Sequence, residues 1–229
     1  MKCRKKWWPP AMLVLIGVMV IAATGTAYAS SLGQYYNYAA STYDGCRASL
    51  ATPPSNPTAN TATIKSVVQG KTDGNGNSMQ VGWVRTNPPG SILVIYASLY
   101  DSGSGWQEAY IVSPTLSYGD YPGHIYGIYW NSSDNTYHYT FDSSDSSYST
   151  ASSTDWQTQQ WCAGIRVSNS SDRCRSDVGF ASNGSFSLRI HSSGQYSPNR
   201  VNYYYQGTGI AAPFNINPYY AFSFKTTTW

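Results

Sequence analysis

Short segments in which apolar and polar residues alternate run through most of this chain. The clearest lies at residues 78–86, where Met79, Val81 and Trp83 alternate with polar or small residues. Because successive side chains of a strand point to opposite faces, this pattern predicts a half-buried β-strand. Clusters of Gly, Asn, Asp and Pro stand before and after the segment, as is typical of turns.

The same arrangement of a short apolar or aromatic run followed by a turn recurs along the chain. No apolar period of 3.6 residues persists over three helical turns, so the pattern predicts no long helix. The other candidate strands cover residues 45–50, 61–69, 91–100, 106–113, 124–132, 137–142, 158–168, 178–181, 185–191, 200–206 and 219–226. About a dozen short strands at this spacing predict an all-β, single-domain, antiparallel double-sheet sandwich of jelly-roll type.

The alternation also predicts which side chains fill the space between the two sheets. Inward-facing residues of both sheets form the core of a sandwich. We expect this core to contain Val67, Val81, Trp83, Leu93, Ile95, Ile111, Ile128, Ile165, Leu188, Ile190 and Phe222. The tyrosine clusters at 203–205 and 219–220 cannot all point inward, so some of these rings line a surface or groove.

Residues 1–29 have the pattern of a secretory signal peptide. Basic residues precede an apolar run at 11–23 that is short for a membrane span, and Ala-Tyr-Ala at 27–29 fits the cleavage rule. We therefore expect a secreted protein whose mature chain begins at Ser30; the alternative is an uncleaved membrane anchor. Residues 30–60 predict a loosely structured N-terminal segment with a first strand, and residues 61–229 predict the sandwich domain.

Loss of this signal changes the charge of the chain. Four of the 14 lysine and arginine residues lie in the signal, which leaves 10 against 11 aspartate and glutamate residues. The mature chain then carries a net charge of about −1, and its sequence shows no basic patch suited to phosphates. We expect a monomer that binds no nucleic acid and, after cleavage, no membrane.

Three cysteines remain after the signal, namely Cys46, Cys162 and Cys174. Export leads to an oxidising compartment, in which disulfides form. A bridge between Cys162 and Cys174 is expected because it closes a short loop; pairing of Cys46 with either of them is the alternative. The chain has no Cys-x-x-Cys motif and its three histidines are scattered, so no metal or cofactor is expected.

Glutamate occurs only once in the chain, as Glu108. Glycoside hydrolysis usually requires two carboxylic groups at a fixed separation. Glucanases on sandwiches of this shape generally use glutamates, and no second glutamate is present. The aspartates that could substitute are Asp101, Asp120, Asp142 and Asp177. Nothing in their spacing singles out a pair, so the composition argues against that activity.

Four short segments together resemble the eqolisin-type glutamic peptidases. Residues 79–83 (Met-Gln-Val-Gly-Trp) are similar to the strand that carries the catalytic glutamine of that family. Residues 159–161 (Gln-Gln-Trp) are similar to the segment that carries its catalytic glutamate. The turn at 118–120 and the segment at 177–180 resemble two further segments in the same order. The resemblance covers about residues 61–192 and implies a concanavalin-like double sheet.

The resemblance implies a role for two glutamines. Gln80 matches the glutamine that positions the attacking water, whereas Gln160 stands where the family has its glutamate. An amide cannot act as a general acid or base, so the family's mechanism has no proton carrier here. Glu108 could supply one only if the fold brings it into the same groove.

The sequence therefore favours a secreted, non-catalytic binding module. A concave sheet with two amides and several aromatic rings can hold a polysaccharide or another cell-surface polymer. We expect Gln80 and Gln160 on neighbouring strands of that sheet. The candidate ligand-binding residues are Gln80, Trp83, Tyr129, Gln160 and Trp161. The alternatives are a secreted acid endopeptidase that uses Gln80 with a displaced carboxylate such as Glu108, and a structural surface protein.

Overall fold

The alternating segments of the sequence form β-strands that pair into two antiparallel sheets. The computed structural model describes residues 31–38, 43–53, 63–71, 77–86, 93–103, 105–111, 116–121, 123–149, 160–167, 173–181, 183–200, 203–217 and 220–227. These residues form sixteen strands and no helix. In chain order the strands are β1 (Ser31–Tyr38), β2 (Tyr43–Leu50), β3 (Thr63–Lys71), β4 (Ser78–Thr86), β5 (Leu93–Asp101), β6 (Gly105–Ile111), β7 (His124–Asn131), β8 (Thr136–Phe141), β9 (Ser144–Ser149), β10 (Gln160–Val167), β11 (Arg175–Val178), β12 (Ser187–Ile190), β13 (Tyr196–Pro198), β14 (Tyr203–Gln206), β15 (Phe214–Asn217) and β16 (Ala221–Lys225).

One sheet has seven strands in the order β14-β1-β10-β3-β4-β5-β6. Strands β3 to β6 follow one another along the chain and pair as a meander. β10 pairs with β3, and the N-terminal strand β1 lies between β10 and β14. The middle of this sheet therefore combines strands that are far apart in the sequence.

The other sheet has nine strands, of which seven follow the order β15-β16-β11-β2-β7-β8-β9. β12 pairs with both β2 and β13 beside this path. β7, β8 and β9 form a second meander at one edge. The two-sheet architecture confirms the predicted all-β sandwich.

The core lies between the sheets and contains most of the residues predicted for it. Val81, Trp83, Leu93, Ile95, Ile128, Ile165, Leu188 and Phe222 are all buried there. Val67 is also buried, but in a second cluster with Val84, Val94 and Tyr96. Ile190 is half-buried, where the register between β12 and β2 shifts. The side chain of Ile111 lies outside the described residues.

Four strands were not predicted from the sequence, namely β1, β9, β13 and β15. β1 falls in the segment expected to be loose, yet its backbone pairs with a neighbour on each side. Tyr35 is the inward-facing ring of this strand and is buried in the core. β9 has the sequence Ser-Asp-Ser-Ser-Tyr-Ser and lies at a sheet edge, so that it needs little apolar character.

The predicted signal peptide lies outside the described residues. In the part of the chain that the structure describes, no helix has the length and hydrophobicity needed to cross a membrane.

The predicted disulfide between Cys162 and Cys174 is wrong, because all three described cysteines are free and buried. Cys174 belongs to the core, whereas Cys162 alternates with the core residues Trp161 and Ala163 and points away from the core. The two thiols thus lie on different sides of the seven-stranded sheet. Cys46 is in the core. Burial is the main cause that raises the pKa of its thiol, and the nearby Cys162 raises it further.

Candidate functional site

The seven-stranded sheet has one face toward the core and one away from it, which we call the outer face. Met79, Val81 and Trp83 of β4 are core residues, so the alternate residue Gln80 belongs to the outer face. Residues directly opposite each other on paired antiparallel strands share a face. The register of the strands therefore shows which residues meet on the outer face.

One row of residues, the central row, crosses the whole outer face. It takes one residue from each strand, from one edge of the sheet to the other: Tyr203, Tyr36, Cys162, Gln69, Gln80, Ser98 and Glu108. Two of the predicted catalytic candidates, Gln80 and Glu108, thus share a face and a row. With β5 between them, their Cα atoms are about 10 Å apart, which is two strand spacings.

The middle of the central row is almost closed to solvent. Gln80 is 5% exposed, Ser98 is fully buried and Gln69 is half-buried. Cys162 Sγ lies 4.0 Å from Gln69 Oε1. Ser98 Oγ has no hydrogen-bond partner among the described residues. A buried hydroxyl without a partner costs about 1–3 kcal/mol, so this row has hydrogen-bonding capacity for a water or a ligand.

Gln160 also lies on the outer face but not on a strand next to Gln80. It precedes Cys162 by two residues and pairs with Lys71, and β3 separates its strand β10 from β4. The two glutamines therefore share a sheet and a face, as predicted, but are not on neighbouring strands. Their Cα atoms are about 12 Å apart, given two strand spacings and a two-residue offset.

Three residues predicted to bind a ligand lie elsewhere. Trp83 and Trp161 have no exposed surface and fill the core, because each alternates with an outer-face residue. Tyr129 lies on β7 of the other sheet, and its hydroxyl donates a hydrogen bond to Asp145 at 2.7 Å. Burial and this hydrogen bond raise the pKa of Tyr129 to about 12. The structure thus removes these three rings from the predicted groove.

The aromatic rings that do reach the outer face are tyrosines at its β14 edge. The rings of Tyr36 and Tyr203 are nearly parallel, with centroids 5.5 Å and planes 19° apart. Tyr205 pairs with Gln34 and shares their face, whereas Tyr204 packs against the core residue Tyr35. The sequence indicated surface tyrosines here, but only the register shows which of them face the central row.

A histidine on the nine-stranded sheet has a carboxylate at each ring nitrogen. His138 Nε2 lies 2.8 Å from Asp134 Oδ2, and His138 Nδ1 lies 2.9 Å from Asp145 Oδ1. The ring also stacks against Tyr129, with centroids 5.0 Å apart. Since a neutral imidazole has one N–H, both contacts are hydrogen bonds only when the ring is protonated. These contacts link the β7–β8 turn to β9 through His138 of β8.

The other two histidines also contact aspartates. His124 lies between Asp120 and Asp142, at 2.7 and 2.8 Å, and His191 Nδ1 lies 3.1 Å from the buried carboxylate of Asp44. These partners were not predicted from the sequence, because turns and strand register bring them together. Within the described residues, no group of three or more His, Cys, Asp or Glu side chains is placed to hold a metal ion.

The architecture is that of a concanavalin-like β-sandwich. The chain superposes on scytalidoglutamic peptidase, solved with a peptide-based transition-state analogue, with a TM-score of 0.60 and 12% identity, covering 87% of this chain and 99% of that one. It superposes on SCP-B, an eqolisin-family peptidase solved with the tripeptide Ala-Ile-His, with a TM-score of 0.50, 13% identity and the same coverage. No protein-family model and no curated protein matches the chain. The resemblance to eqolisins is thereby confirmed as a likeness of fold.

Proposed function

We propose that this protein is a secreted, non-catalytic module that binds an extracellular polysaccharide on the outer face of the seven-stranded sheet. One observation carries the proposal: the central row sets amide, hydroxyl and aromatic groups side by side across all seven strands. Amides form directional hydrogen bonds with sugar hydroxyls, and aromatic faces pack against sugar rings. Such contacts need no proton transfer.

The burial of the row suggests how the ligand lies. Gln69 and Gln160 are half-buried and Tyr203 is exposed, so these side chains offer the direct contacts. Gln80 and Ser98 lie deeper and form the floor between them. The polymer then contacts the amides and the tyrosines at the β14 edge of the sheet.

The alternating tyrosines of β14 give a matched test of this surface. Tyr203 and Tyr204 are 49% and 54% exposed, so either Ala variant removes a similar aromatic area, but only Tyr203 lies on the outer face. We expect Tyr203→Ala to weaken binding about two- to tenfold, the equivalent of one aromatic contact, and Tyr204→Ala to leave it unchanged.

Binding is measured by depletion of the purified mature protein on insoluble cellulose, chitin and a cell-wall preparation. Gln69→Ala is expected to weaken binding by about the contribution of one hydrogen bond, which is again two- to tenfold. Equal losses in Tyr203→Ala and Tyr204→Ala would contradict the proposed surface. Absence of wild-type binding to every polysaccharide would favour a structural role instead.

An acid endopeptidase is the second candidate, because the register of β6 brings Glu108 into the row of Gln80. Glu108 is the only carboxylate that the described strands assign to the outer face. Their Cα atoms are about 10 Å apart across β5, so the two residues belong to one row of the sheet. Glu108 would then have to serve as both acid and base, since Gln160 cannot carry a proton.

Casein digestion separates the two candidates. We expect no digestion by the wild type from acidic to neutral pH. Digestion that Glu108→Gln abolishes would establish the hydrolase and refute the non-catalytic module. Gln160→Glu adds a carboxylate to the same face, so cleavage gained by that variant alone would identify a peptidase scaffold that lacks only its acid.

A further inference from the structure

Gln80 lies recessed in the outer face, and the amide of its side chain has no hydrogen-bond partner among the described residues. The residue is only 5% exposed, and polar groups at this depth are normally hydrogen-bonded. Its amide atoms are nevertheless not fully enclosed, so the small exposed part of the residue is the tip of the side chain. The amide therefore faces the surface and can still form hydrogen bonds.

The neighbours of this amide in the central row are uncharged and also have unused hydrogen-bonding capacity. Ser98, directly opposite Gln80 on β5, has a buried hydroxyl without a partner in the described part of the chain. Gln69 is directly opposite Gln80 on β3, and the Cys162 thiol donates a weak contact to its Oε1. The described residues provide no acceptor for the NH2 group of Gln69. A ligand that complements these groups is neutral and offers both a donor and an acceptor.

The depth of Gln80 restricts the groups that can reach it. Gln69 is half-buried and stands beside it, so a sugar ring in contact with Gln69 lies above Gln80. A hydroxyl holds its only polar atom next to the ring, whereas an acetamido group carries its N–H and C=O further out. A glutamine amide presents NH2 and C=O in one plane and can therefore form two hydrogen bonds with another amide. An acetamido group thus fits Gln80 better than a hydroxyl does.

The accessible part of the face extends from Gln80 toward the β14 edge. In the next row on one side, Val67 and Tyr96 are buried in a common cluster, which closes that side. On the other side Gln160 is half-buried, and at the β14 edge Tyr203 is exposed. A polymer that lies over Gln80 therefore runs past Gln160 to the tyrosines.

We propose that the outer face binds a polysaccharide of N-acetylated amino sugars, in which an acetamido group points down to Gln80 and pairs with the amide of its side chain. The inference rests on the polysaccharide-binding function proposed above and adds the substituent that the surface recognises. Gln69 and Gln160 contact other polar groups of the same polymer. Peptides also carry secondary amides, but the exposed ring of Tyr203 is better suited to the flat face of a sugar ring.

The test uses two polymers that differ in one substituent. Chitin has an acetamido group where cellulose has a hydroxyl, and the rest of the chain is the same. We expect the mature protein to bind chitin at least about fivefold more tightly than cellulose, as one or two additional hydrogen bonds would give. Soluble hexasaccharides of the two polymers are then compared as competitors, and the acetylated one should be more effective by a similar factor. Because the ligand is neutral, its affinity should change less than about twofold between roughly 50 and 500 mM NaCl.

Two glutamine variants test whether Gln80 makes the contact. Gln80→Met keeps the length of the side chain but removes the amide, so we expect affinity for chitin to fall about five- to tenfold and affinity for cellulose to change less than about twofold. Its melting temperature should equal or exceed that of the wild type, because the substitution removes a buried amide that has no partner. Gln195→Met makes the same change in the exposed turn between β12 and β13, on the other sheet, and should bind like the wild type.

Equal affinity for chitin and cellulose would refute the acetamido contact and leave the polysaccharide-binding function standing. An equal loss of chitin binding in Gln80→Met and Gln195→Met would also overturn it. Competition by N-acetylalanine methylamide as strong as that by the acetylated hexasaccharide would identify a peptide as the ligand and contradict the proposal. Should Gln80→Met fail to fold, the comparison of the two hexasaccharides on the wild type still decides. Absence of binding to any polysaccharide would refute both proposals.

Discussion

Replacing each of the two buried tryptophans by phenylalanine measures what one hydrogen bond contributes to this core. Trp83 and Trp161 are both fully buried. Trp83 Nε1 donates a hydrogen bond to the carbonyl oxygen of Ala51 at 3.1 Å, whereas Trp161 Nε1 has no partner among the described residues. The two substitutions remove the same atoms, so their difference isolates this bond.

The magnitudes follow from the two environments. Either substitution leaves a small cavity, at a cost of roughly 1–2 kcal/mol. Trp83→Phe also leaves the buried Ala51 carbonyl without its donor, which adds about 1–3 kcal/mol. Trp161→Phe instead removes a buried donor that has no acceptor, which offsets part of its cavity cost. We expect Trp83→Phe to be the more destabilising by at least about 1 kcal/mol.

Urea unfolding followed by far-ultraviolet circular dichroism gives both free energies without relying on tryptophan fluorescence. Equal m-values in the wild type and the two variants are the control that the same surface unfolds in each. If Trp161→Phe costs as much as Trp83→Phe, the hydrogen bond to Ala51 does not distinguish the two sites and the reasoning fails. Unchanged polysaccharide binding by either folded variant is also expected, since neither indole reaches the outer face.

Two further predictions concern the aspartate–histidine contacts and the thiols. Hydrogen bonds from Thr136 and His138 lower the pKa of Asp134 from 3.8, so its carboxylate stabilises the fold above that pH, and this contribution is lost as the pH falls through the lower folded pKa. Melting temperatures of the wild type and Asp134→Asn should therefore differ at pH 5 and converge near pH 2; a constant difference would contradict this. Because all three described cysteines are free and buried, a chain that lacks residues 1–29, and with them Cys3, should show three thiols that react with a thiol reagent in denaturant without reductant, and none that react rapidly in the native protein; fewer than three in denaturant would indicate a disulfide.

The sequence predicted best those strands in which one face is core and the other is not. β4 was predicted with its observed bounds because Met79, Val81 and Trp83 alternate with outer-face residues. β1 and β9 were missed because neither sequence alternates clearly between apolar and polar residues, although both strands pair through their backbones. Trp83 and Gln80 are on opposite faces of β4 because strand residues alternate, so Trp83 could not line the same groove as Gln80. The prediction of Trp83 as a ligand-binding residue rested on the abundance of aromatic residues and overlooked this alternation.

The site itself depends on register, which a single sequence does not show. Gln80 and Glu108 share a row only because β5 pairs with both of their strands. Cys162 and Gln69 are 93 residues apart in the chain and share the central row because β10 pairs with β3. The spacing of Cys162 and Cys174 similarly says nothing about the side of the sheet on which each thiol lies.

The order in which the strands join has a consequence for folding. β3 to β6 pair with their sequence neighbours, whereas β1 pairs with β10, which follows more than half of the chain later. Local hairpins close quickly, whereas pairing of distant strands has a larger entropic cost of loop closure. The β3–β6 meander should therefore form while the edge of β3 that pairs with β10 is still unpaired. The first described strand of the sandwich is then among the last to pair.

That open edge of β3 can accept β10 from its own chain or from another. At high protein concentration, refolding should therefore divide between closed monomers and dimers that exchange β10. The strand that completes the outer face would then also determine whether the chain is a monomer or a dimer.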